Sequence, residues 1–337
     1  MGSHAEEISP LVASASWGTL SEGLRDGDGA PDVAKAKALD APPAPWGRRE
    51  RLRGLASVAL LAILSKIAGN ALIYLYAAGE VKTGARHAIQ TACGVSDVDF
   101  SILVGYCPGG ATVLAGLALS LVRPLPADAS ALRDAALAGA LASGLGLAGL
   151  ALANGVAALF AAQFAIGCGF TVVTVAATTF VGVAFIGAPR DSAVGHAAAT
   201  GLILASEPIG SAAAVLLQYP ALYASWRLAA AAGGGACVVL ALAAAALFPR
   251  GAARGGARPA ALGRRGLREL AGAAAAAPHG AWLLAAYVAF HAAMDVKATY
   301  LTAYFDDAWP ARASETATLN ATCLVPVALA GPRAAKG

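Results

Sequence analysis

Two ionisable residues lie far inside apolar stretches of this sequence, where a charge is costly. Glu207 stands beside Pro208, and Lys66 stands four residues before Asn70. A charged side chain at mid-membrane costs about 2.5–3.5 kcal/mol on translocon scales, so such groups normally face a cavity or a partner. Glu207 is a candidate to bind a cation or a substrate hydroxyl, or to act as a protonatable switch. The alternative is a carboxyl group that hydrogen-bonds to a neighbouring helix.

Two pairs of polar residues have a spacing of four residues, which places both members of a pair on one helix face. The first pair is Lys66 and Asn70, in which the lysine either contacts an anionic substrate or extends its long side chain toward the cytosol. The second pair is His291 and Asp295 in a later apolar stretch. It is a candidate to relay protons or to orient a substrate, and the alternative is a polar stripe that packs against another helix.

The segments that carry these residues are apolar enough to cross a membrane. Residues 135–189 contain no Asp, Glu, Lys or Arg, and one crossing needs about 20 apolar residues, so this stretch is long enough for two. Over the whole chain 58% of residues are hydrophobic and 13% are charged, whereas soluble domains carry about 25% charged residues. The sequence therefore predicts an all-α, multi-pass bundle of membrane helices.

The hydropathy pattern predicts seven spans. They cover approximately residues 55–78, 101–122, 135–153, 157–186, 193–217, 228–248 and 281–303. Four arginines lie between residues 48 and 53, and six arginines with a single acid lie in 249–280. Basic clusters of this kind stay in the cytosol. Six crossings between the two clusters place both on the same side, which predicts a cytosolic N-terminus.

These features divide the chain into four predicted regions. They are a disordered cytosolic tail (1–47), a six-helix bundle (48–248), a basic cytosolic loop (249–280) and the start of a second, incomplete bundle (281–337). The last apolar run, 321–331, is too short to cross a membrane. The chain is therefore expected to stop inside what would be an eighth helix.

No residue pattern predicts a cofactor, a metal site or a nucleic-acid partner. The five cysteines form no Cys-x-x-Cys pair, so neither a zinc site nor a disulfide framework is expected. Gly144–Gly149 matches a dinucleotide-binding pattern by its letters, but no strand precedes it. Its small residues are expected to let membrane helices approach closely. The basic residues have no interleaved aromatic residues. The net charge of +4 is concentrated in particular loops, so it indicates membrane orientation and not nucleic-acid binding.

Several short segments have the order and spacing of one transporter family. They are Gly94–Asp97 before the second span, Ala162–Gly169 in the fourth, Arg190–Gly195 in the next loop, Glu207–Ser211 in the fifth and Trp226–Arg227 at the start of the sixth. Together with the basic central loop, they resemble the N-terminal half and the opening of the second half of a major facilitator superfamily transporter. The first segment is similar to spinster-like and related branches.

The resemblance implies a secondary transporter that moves a small organic solute by alternating access, and no enzymatic activity. It adds Gln163 to the candidate pathway residues, because this glutamine stands where the family often has an arginine linked to proton coupling. A buried amide that hydrogen-bonds across helices is the alternative, and proton symport is not expected. The lipid bilayer and a small-molecule solute are the expected partners, with a second half-transporter or a homodimer if the chain is complete.

Two other functions remain open from the sequence. The loop after the second span lacks the acid that the family has between the positions of Gly116 and Arg123, and that acid contributes to a cytosolic latch. This departure favours a non-transporting pseudo-transporter or scaffold as the alternative. An integral-membrane enzyme is a third reading, for which His291 and Asp295 are the only pair that resembles an acid and a base.

Overall fold

Six long helices dominate the computed structural model, which describes residues 47–83, 88–122, 125, 128–185, 195–249 and four isolated positions, 272, 282, 285 and 289. Within these residues every regular element is helical. In chain order the elements are α1 (Arg48–Thr83), α2 (Ala88–Cys93), α3 (Asp97–Ser101), a π-helical segment (Ile102–Tyr106), α4 (Cys107–Leu117), a second π-helical segment (Ala118–Val122), α5 (Ala129–Leu150), α6 (Val156–Phe185), α7 (His196–Val215), α8 (Gln218–Tyr223) and α9 (Trp226–Leu247).

Six stretches of these helices are long and apolar enough to cross a membrane, as expected of an integral multi-pass protein. They are Arg48–Tyr76, Val98–Ser120, Ser130–Leu150, Val156–Phe185, His196–Ala221 and Trp226–Leu247. Each overlaps one of the first six predicted spans, so the helical, multi-pass part of the prediction is confirmed. The N-terminal tail, the basic loop and the seventh span lie outside the described residues, apart from the four isolated positions.

The second crossing begins with a turn, a cap and a widened helix. Gly94 has a φ of +65°, a left-handed conformation that suits glycine, and it follows the end of α2. The Ser96 hydroxyl accepts a hydrogen bond from the Asp99 N–H, and the Asp99 carboxylate accepts one from the Ser96 N–H. This capping box starts α3. The π-helical segment that follows leads to Pro108, which has no N–H to continue the backbone ladder.

Helix α1 is the centre of the bundle. It contacts α5, α6, α7, α8 and α9, and its membrane stretch is the most buried of the six. Near its N-terminal end the buried Ser57 hydroxyl donates a hydrogen bond to the Ala244 carbonyl oxygen of α9 over 2.8 Å. Side chains on α1 can therefore meet residues from most of the other crossings.

The helix contacts repeat between the first three and the last three crossings. The second crossing packs on the fourth through α4 and α6, and the fifth packs on the first through α7 and α1. In the same way α5 packs on α6 and α9 packs on α1, while α5 and α9 pack on each other, as do α1 and α6. If the first, second and third crossings are exchanged with the fourth, fifth and sixth, each of these six helix contacts coincides with another of the six or with itself. The contacts of α1 with α5 and of α6 with α7 have no comparable counterpart.

Small residues let the crossing helices approach closely. A Cβ atom added at Gly139 of α5 would lie 2.6 Å from the Gly169 carbonyl oxygen of α6, and one added at Gly167 would lie 2.9 Å from the Pro108 carbonyl oxygen. Close packing of this kind joins helices in lipid, where no hydrophobic force drives them together. The two glycines that end the Ala162–Gly169 segment therefore have a packing role.

The glycines of Gly144–Gly149 also lie within a helix that packs on its neighbours. A Cβ atom added at Gly144 would meet Val238 of α9 at 3.1 Å, and one added at Gly146 would meet Ile166 of α6 at 2.7 Å. This segment belongs to α5, so its predicted role in helix packing agrees with the structure.

The C-terminal end of α5 is held by an arginine from α9. Arg227 donates hydrogen bonds to the Ala151 carbonyl oxygen at 2.7 Å and to Asn154 Oδ1 at 3.3 Å. A cation at this position also interacts favourably with the helix dipole. The nearby Cys93 thiol contacts the Ala153 carbonyl oxygen at 3.4 Å. Burial raises the pKa of Cys93, and the positive charge of Arg227 partly offsets this effect.

The antiparallel order of the crossings predicts which loops share a side of the membrane. Gly47, Ser130 and Leu152 are exposed, and the first two lie at the same end of the bundle. We expect a membrane-impermeant maleimide to label Gly47→Cys and Ser130→Cys from one face of sealed vesicles and Leu152→Cys from the other. The background replaces all native cysteines. Labelling of Gly47→Cys and Ser130→Cys from opposite faces would contradict the fold.

The contact between α5 and α6 predicts different outcomes for two glycines of the same helix. Gly139→Ala should destabilise the protein by about 1–3 kcal/mol, because the added methyl group overlaps the Gly169 carbonyl. A Cβ atom added at Gly149 would meet no described neighbouring atom within 4 Å, so Gly149→Ala should be neutral or stabilising by up to about 1 kcal/mol. Thermal unfolding in detergent measures both variants, and equal effects would show that close packing is not the cause.

Candidate functional site

A lysine and a glutamate form an ion pair near the middle of two membrane helices. Lys66 of α1 and Glu207 of α7 were separate candidates in the sequence, and their Nζ and Oε1 atoms lie 2.6 Å apart. The Lys66 ammonium donates this hydrogen bond. Its long side chain therefore reaches a partner within the bundle instead of extending toward the cytosol. Each charge offsets the cost that the other would have in a low-dielectric environment.

One helical turn farther along, a second polar contact joins the same two helices. Asn70 Nδ2 donates a hydrogen bond to Ser211 Oγ over 2.7 Å, and Ser211 Oγ donates to the Glu207 backbone carbonyl over 3.0 Å. Both cross-helix contacts join residues that are 141 positions apart. This constant offset shows that α1 and α7 run parallel with matched helical turns.

A glycine allows α7 to approach α1 at the ion pair. A Cβ atom added at Gly210 would lie 2.7 Å from both Lys66 Cβ and the Ile63 carbonyl oxygen. Any larger residue at Gly210 would therefore push α7 away from the stem of the lysine. Pro208 lies within the same turn, and its missing N–H leaves the Leu204 carbonyl without its usual helical donor.

The two members of the pair differ in their surroundings. The Lys66 ammonium lies 4.9 Å from the centre of the Phe170 ring of α6, a distance at which a cation and an aromatic face attract each other. The Lys66 side chain is 18% exposed, whereas that of Glu207 is 41% exposed. The lysine is thus held by two partners, and Glu207 is the more exposed side chain of the two.

Buried hydroxyl groups link α1 to α5 and α6 next to the ion pair. Ser65 Oγ and Ser143 Oγ of α5 lie 2.8 Å apart, and Ser143 Oγ also donates to the Ile166 carbonyl oxygen of α6 over 3.3 Å. Both serines are fully buried. Because Ser65 directly precedes Lys66, this contact helps to orient the lysine toward α7.

Gln163 lies on the same face of α6 as Phe170, two turns away. Seven residues separate them, which corresponds to about 10 Å along a helix. The Gln163 side chain is 1% exposed, and its Oε1 atom has no hydrogen-bond donor among the residues that the structure describes. Gln163 is therefore buried, and the described part of the chain provides no hydrogen-bond donor across helices to its Oε1 atom.

The candidate residues thus fall into three groups. Lys66, Glu207 and Asn70 come together in one site, Gln163 lies on α6, and His291 and Asp295 lie outside the described residues. Sequence reasoning missed three members of the site. Ser211 had a usable signal, since it lies four residues after Glu207, but nothing in the sequence indicated Phe170 or Ser143.

The described residues contain no cluster of three His, Cys, Asp or Glu side chains that could hold a metal ion. The chemistry of the site is that of a charge pair with neighbouring amide and hydroxyl groups. No family model matches the chain, and a comparison with curated proteins finds no match. The role of the site must therefore be argued from its own geometry.

The ion pair predicts strong coupling between its two members. Glu207→Gln should destabilise the protein by about 1–3 kcal/mol, less than the 3–5 kcal/mol of a fully buried pair because Glu207 is partly exposed. Replacing both Lys66 and Glu207 by Met should restore stability to within about 1 kcal/mol, since no uncompensated charge remains. Thermal unfolding in detergent of the single and double variants measures the coupling.

A second carboxylate serves as the matched control for this prediction. Asp134 pairs with Arg133 at 2.7 Å, but its side chain is 63% exposed. Asp134→Asn should therefore change stability by less than about 0.5 kcal/mol. If the effects of Lys66→Met and Glu207→Met simply add in the double variant, the two charges do not stabilise each other.

Proposed function

We propose that the chain is a secondary transporter of the major facilitator type, which moves a small organic solute across a membrane by alternating access. The observation that carries the proposal is the Lys66–Glu207 pair near the middle of two membrane helices, 2.6 Å apart and with Glu207 41% exposed. Transporters bind substrates and coupling ions near the bilayer midplane, at the interface between structural repeats.

The exposure of Glu207 distinguishes this site from a purely structural ion pair. A carboxylate that faced hydrocarbon would carry a large free-energy cost, so an accessible one at this depth normally faces water or a second protein surface. In a transporter that surface is the solute pathway. Asn70 and Ser211 extend the polar surface by one turn along the same helices.

The arrangement of helices also supports the proposal. Six helix contacts are preserved when the first three crossings are exchanged with the last three, as expected of two three-helix repeats. Three crossings reverse the direction of the chain, so such repeats are inverted, as they are within each half of major facilitator transporters. The arginines at 48–53 favour a cytosolic N-terminus for this arrangement.

A non-transporting scaffold is the second candidate, and one feature favours it. The segment from Gly116 to Arg123 lacks the acid of the cytosolic latch, which contributes to conformational switching in the family that the chain resembles. In a scaffold the Lys66–Glu207 contact would be a permanent link between α1 and α7. A transport measurement distinguishes the two roles, because a permanent link has no solute to move.

The test is solute exchange in liposomes that contain the full 337-residue chain. Vesicles loaded with one unlabelled solute are diluted into the same radiolabelled solute, with a panel of sugars, amino acids and organic acids. We expect at least one solute to accumulate above protein-free liposomes. Glu207→Gln should reduce this exchange by at least about 10-fold, because a removed charge-assisted contact is worth about 1.5–3 kcal/mol.

Asp134→Asn is the control and should leave exchange within about twofold of the unchanged protein, since exposed ion pairs contribute little. Failure of every solute to accumulate would reject transport in favour of the scaffold. Exchange that is unaffected by Glu207→Gln would remove the ion pair from the pathway.

A further inference from the structure

The polar atoms at and near the site that lack a described hydrogen-bond donor are acceptors. Glu207 uses Oε1 for Lys66, and its side chain is the more exposed of the two. Asn70 donates through Nδ2 to Ser211, and no described residue donates to its Oδ1 atom. Farther along α6, the buried Gln163 Oε1 also lacks a donor among the described residues. Buried polar atoms without partners are rare in proteins and are commonly satisfied by water or a ligand.

These acceptors require a ligand that supplies several N–H or O–H groups. Lys66 still has donor capacity, because an ammonium group has three N–H bonds and one of them goes to Glu207. A ligand hydroxyl can donate to the acceptors and accept from Lys66, whereas an ammonium group can only donate. Hydroxyl groups therefore match the mixed site better than ammonium groups do.

The charge of the site argues in the same direction. Lys66 and Glu207 carry opposite charges and their sum is zero, so the closed pair adds no net charge to the middle of the bundle. A cation bound to Glu207 or an anion bound to Lys66 would leave one net charge in a low-dielectric environment, which is unfavourable. A neutral solute leaves the pair intact.

We propose that the Lys66–Glu207 site binds an uncharged, hydroxyl-rich solute of the polyol or sugar class. The solute's hydroxyl groups donate to the exposed Glu207 carboxylate and to Asn70 Oδ1, and Gln163 Oε1 accepts from a further hydroxyl group along α6. This inference names the substrate class of the proposed transport site, and it rests on that proposed function. The ion pair remains closed when the solute is bound.

The test compares three solutes that share a linear six-carbon skeleton and differ in charge. They are sorbitol, which is neutral, gluconate, an anion, and N-methylglucamine, a cation. Thermal unfolding of the full chain in detergent is recorded over a range of solute concentrations. Glucose and inositol extend the neutral set. Binding at the site gives a shift in Tm that follows the logarithm of the solute concentration above Kd and that changes in variants of the site. The exclusion of polyols from protein surfaces also raises Tm, but equally in the unchanged protein and in the variants.

We expect at least one neutral solute to bind at least about 10-fold more tightly than its charged counterparts, which corresponds to about 1.4 kcal/mol. Tighter binding of gluconate or N-methylglucamine than of sorbitol would overturn the inference. Failure of every neutral solute to bind would also overturn it.

Gln163→Leu provides a variant that does not depend on the stability of the ion pair. Removing an orphaned buried acceptor should leave Tm unchanged or raise it, because the lost oxygen had no partner in the described structure. The same change should weaken binding of the neutral solute by about 2- to 10-fold, the worth of one hydrogen bond. Gln163→Leu with unaltered affinity would remove Gln163 from the binding site.

Glu207→Gln should weaken neutral-solute binding more than Gln163→Leu does, and Asp134→Asn should have no effect on it. Binding in detergent does not require transport, so the two proposals can fail separately. Saturable polyol binding without exchange in liposomes would reject transport and keep the ligand class. Exchange of a charged solute that depends on Glu207 would keep transport and reject the ligand class.

Discussion

The pairing of two opposite charges between α1 and α7, in the middle of two membrane helices, is the constraint on which the rest of the structure depends. Neither charge is tolerable alone in the middle of a membrane helix, so the two helices must hold Lys66 and Glu207 within contact distance. They lie 2.6 Å apart. Gly210 permits this approach because a side chain there would collide with the stem of the lysine. The Asn70–Ser211 contact fixes the same helical register one turn away.

Helix α1 can supply this site because it lies at the centre of the bundle. Its neighbours approach through small residues, and hydroxyl groups such as Ser57 and Ser65 make specific contacts with α9 and α5. In lipid, such packing and polar contacts replace the hydrophobic force that assembles soluble cores. One face of α1 is thus anchored to the bundle, and the other presents Lys66 and Asn70 toward α7.

The unequal exposure of the two charges relates this architecture to function. Lys66 contacts both Glu207 and Phe170, whereas the Glu207 side chain is the more exposed member of the pair. The lysine therefore acts as an internal counter-ion that orients the glutamate. A site built in this way presents acceptor atoms without presenting a net charge, which links the geometry of the pair to the kind of solute proposed for it.

The positions and the apolar character of the first six crossings could be predicted from the sequence. Residues 135–189 contain no charge, and hydrocarbon tolerates no unpaired backbone group, so such a stretch must form helices. The same cost of burying charge singled out Lys66 and Glu207 as unusual. The spacing of four residues between Lys66 and Asn70 also predicted correctly that they share a helix face.

Which residues meet across helices was decided by the tertiary structure alone. The contact between Lys66 and Glu207 joins positions 141 residues apart, and its formation depends on the packing of α1 against α7. The position of Phe170 beneath the lysine and the orphaned oxygen of Gln163 likewise depend on how α6 is rotated. Hydropathy and spacing report the face and the burial of each residue within one helix. The choice of neighbour depends on the shapes of both helices, and Gly210 became informative only when α7 was seen beside α1.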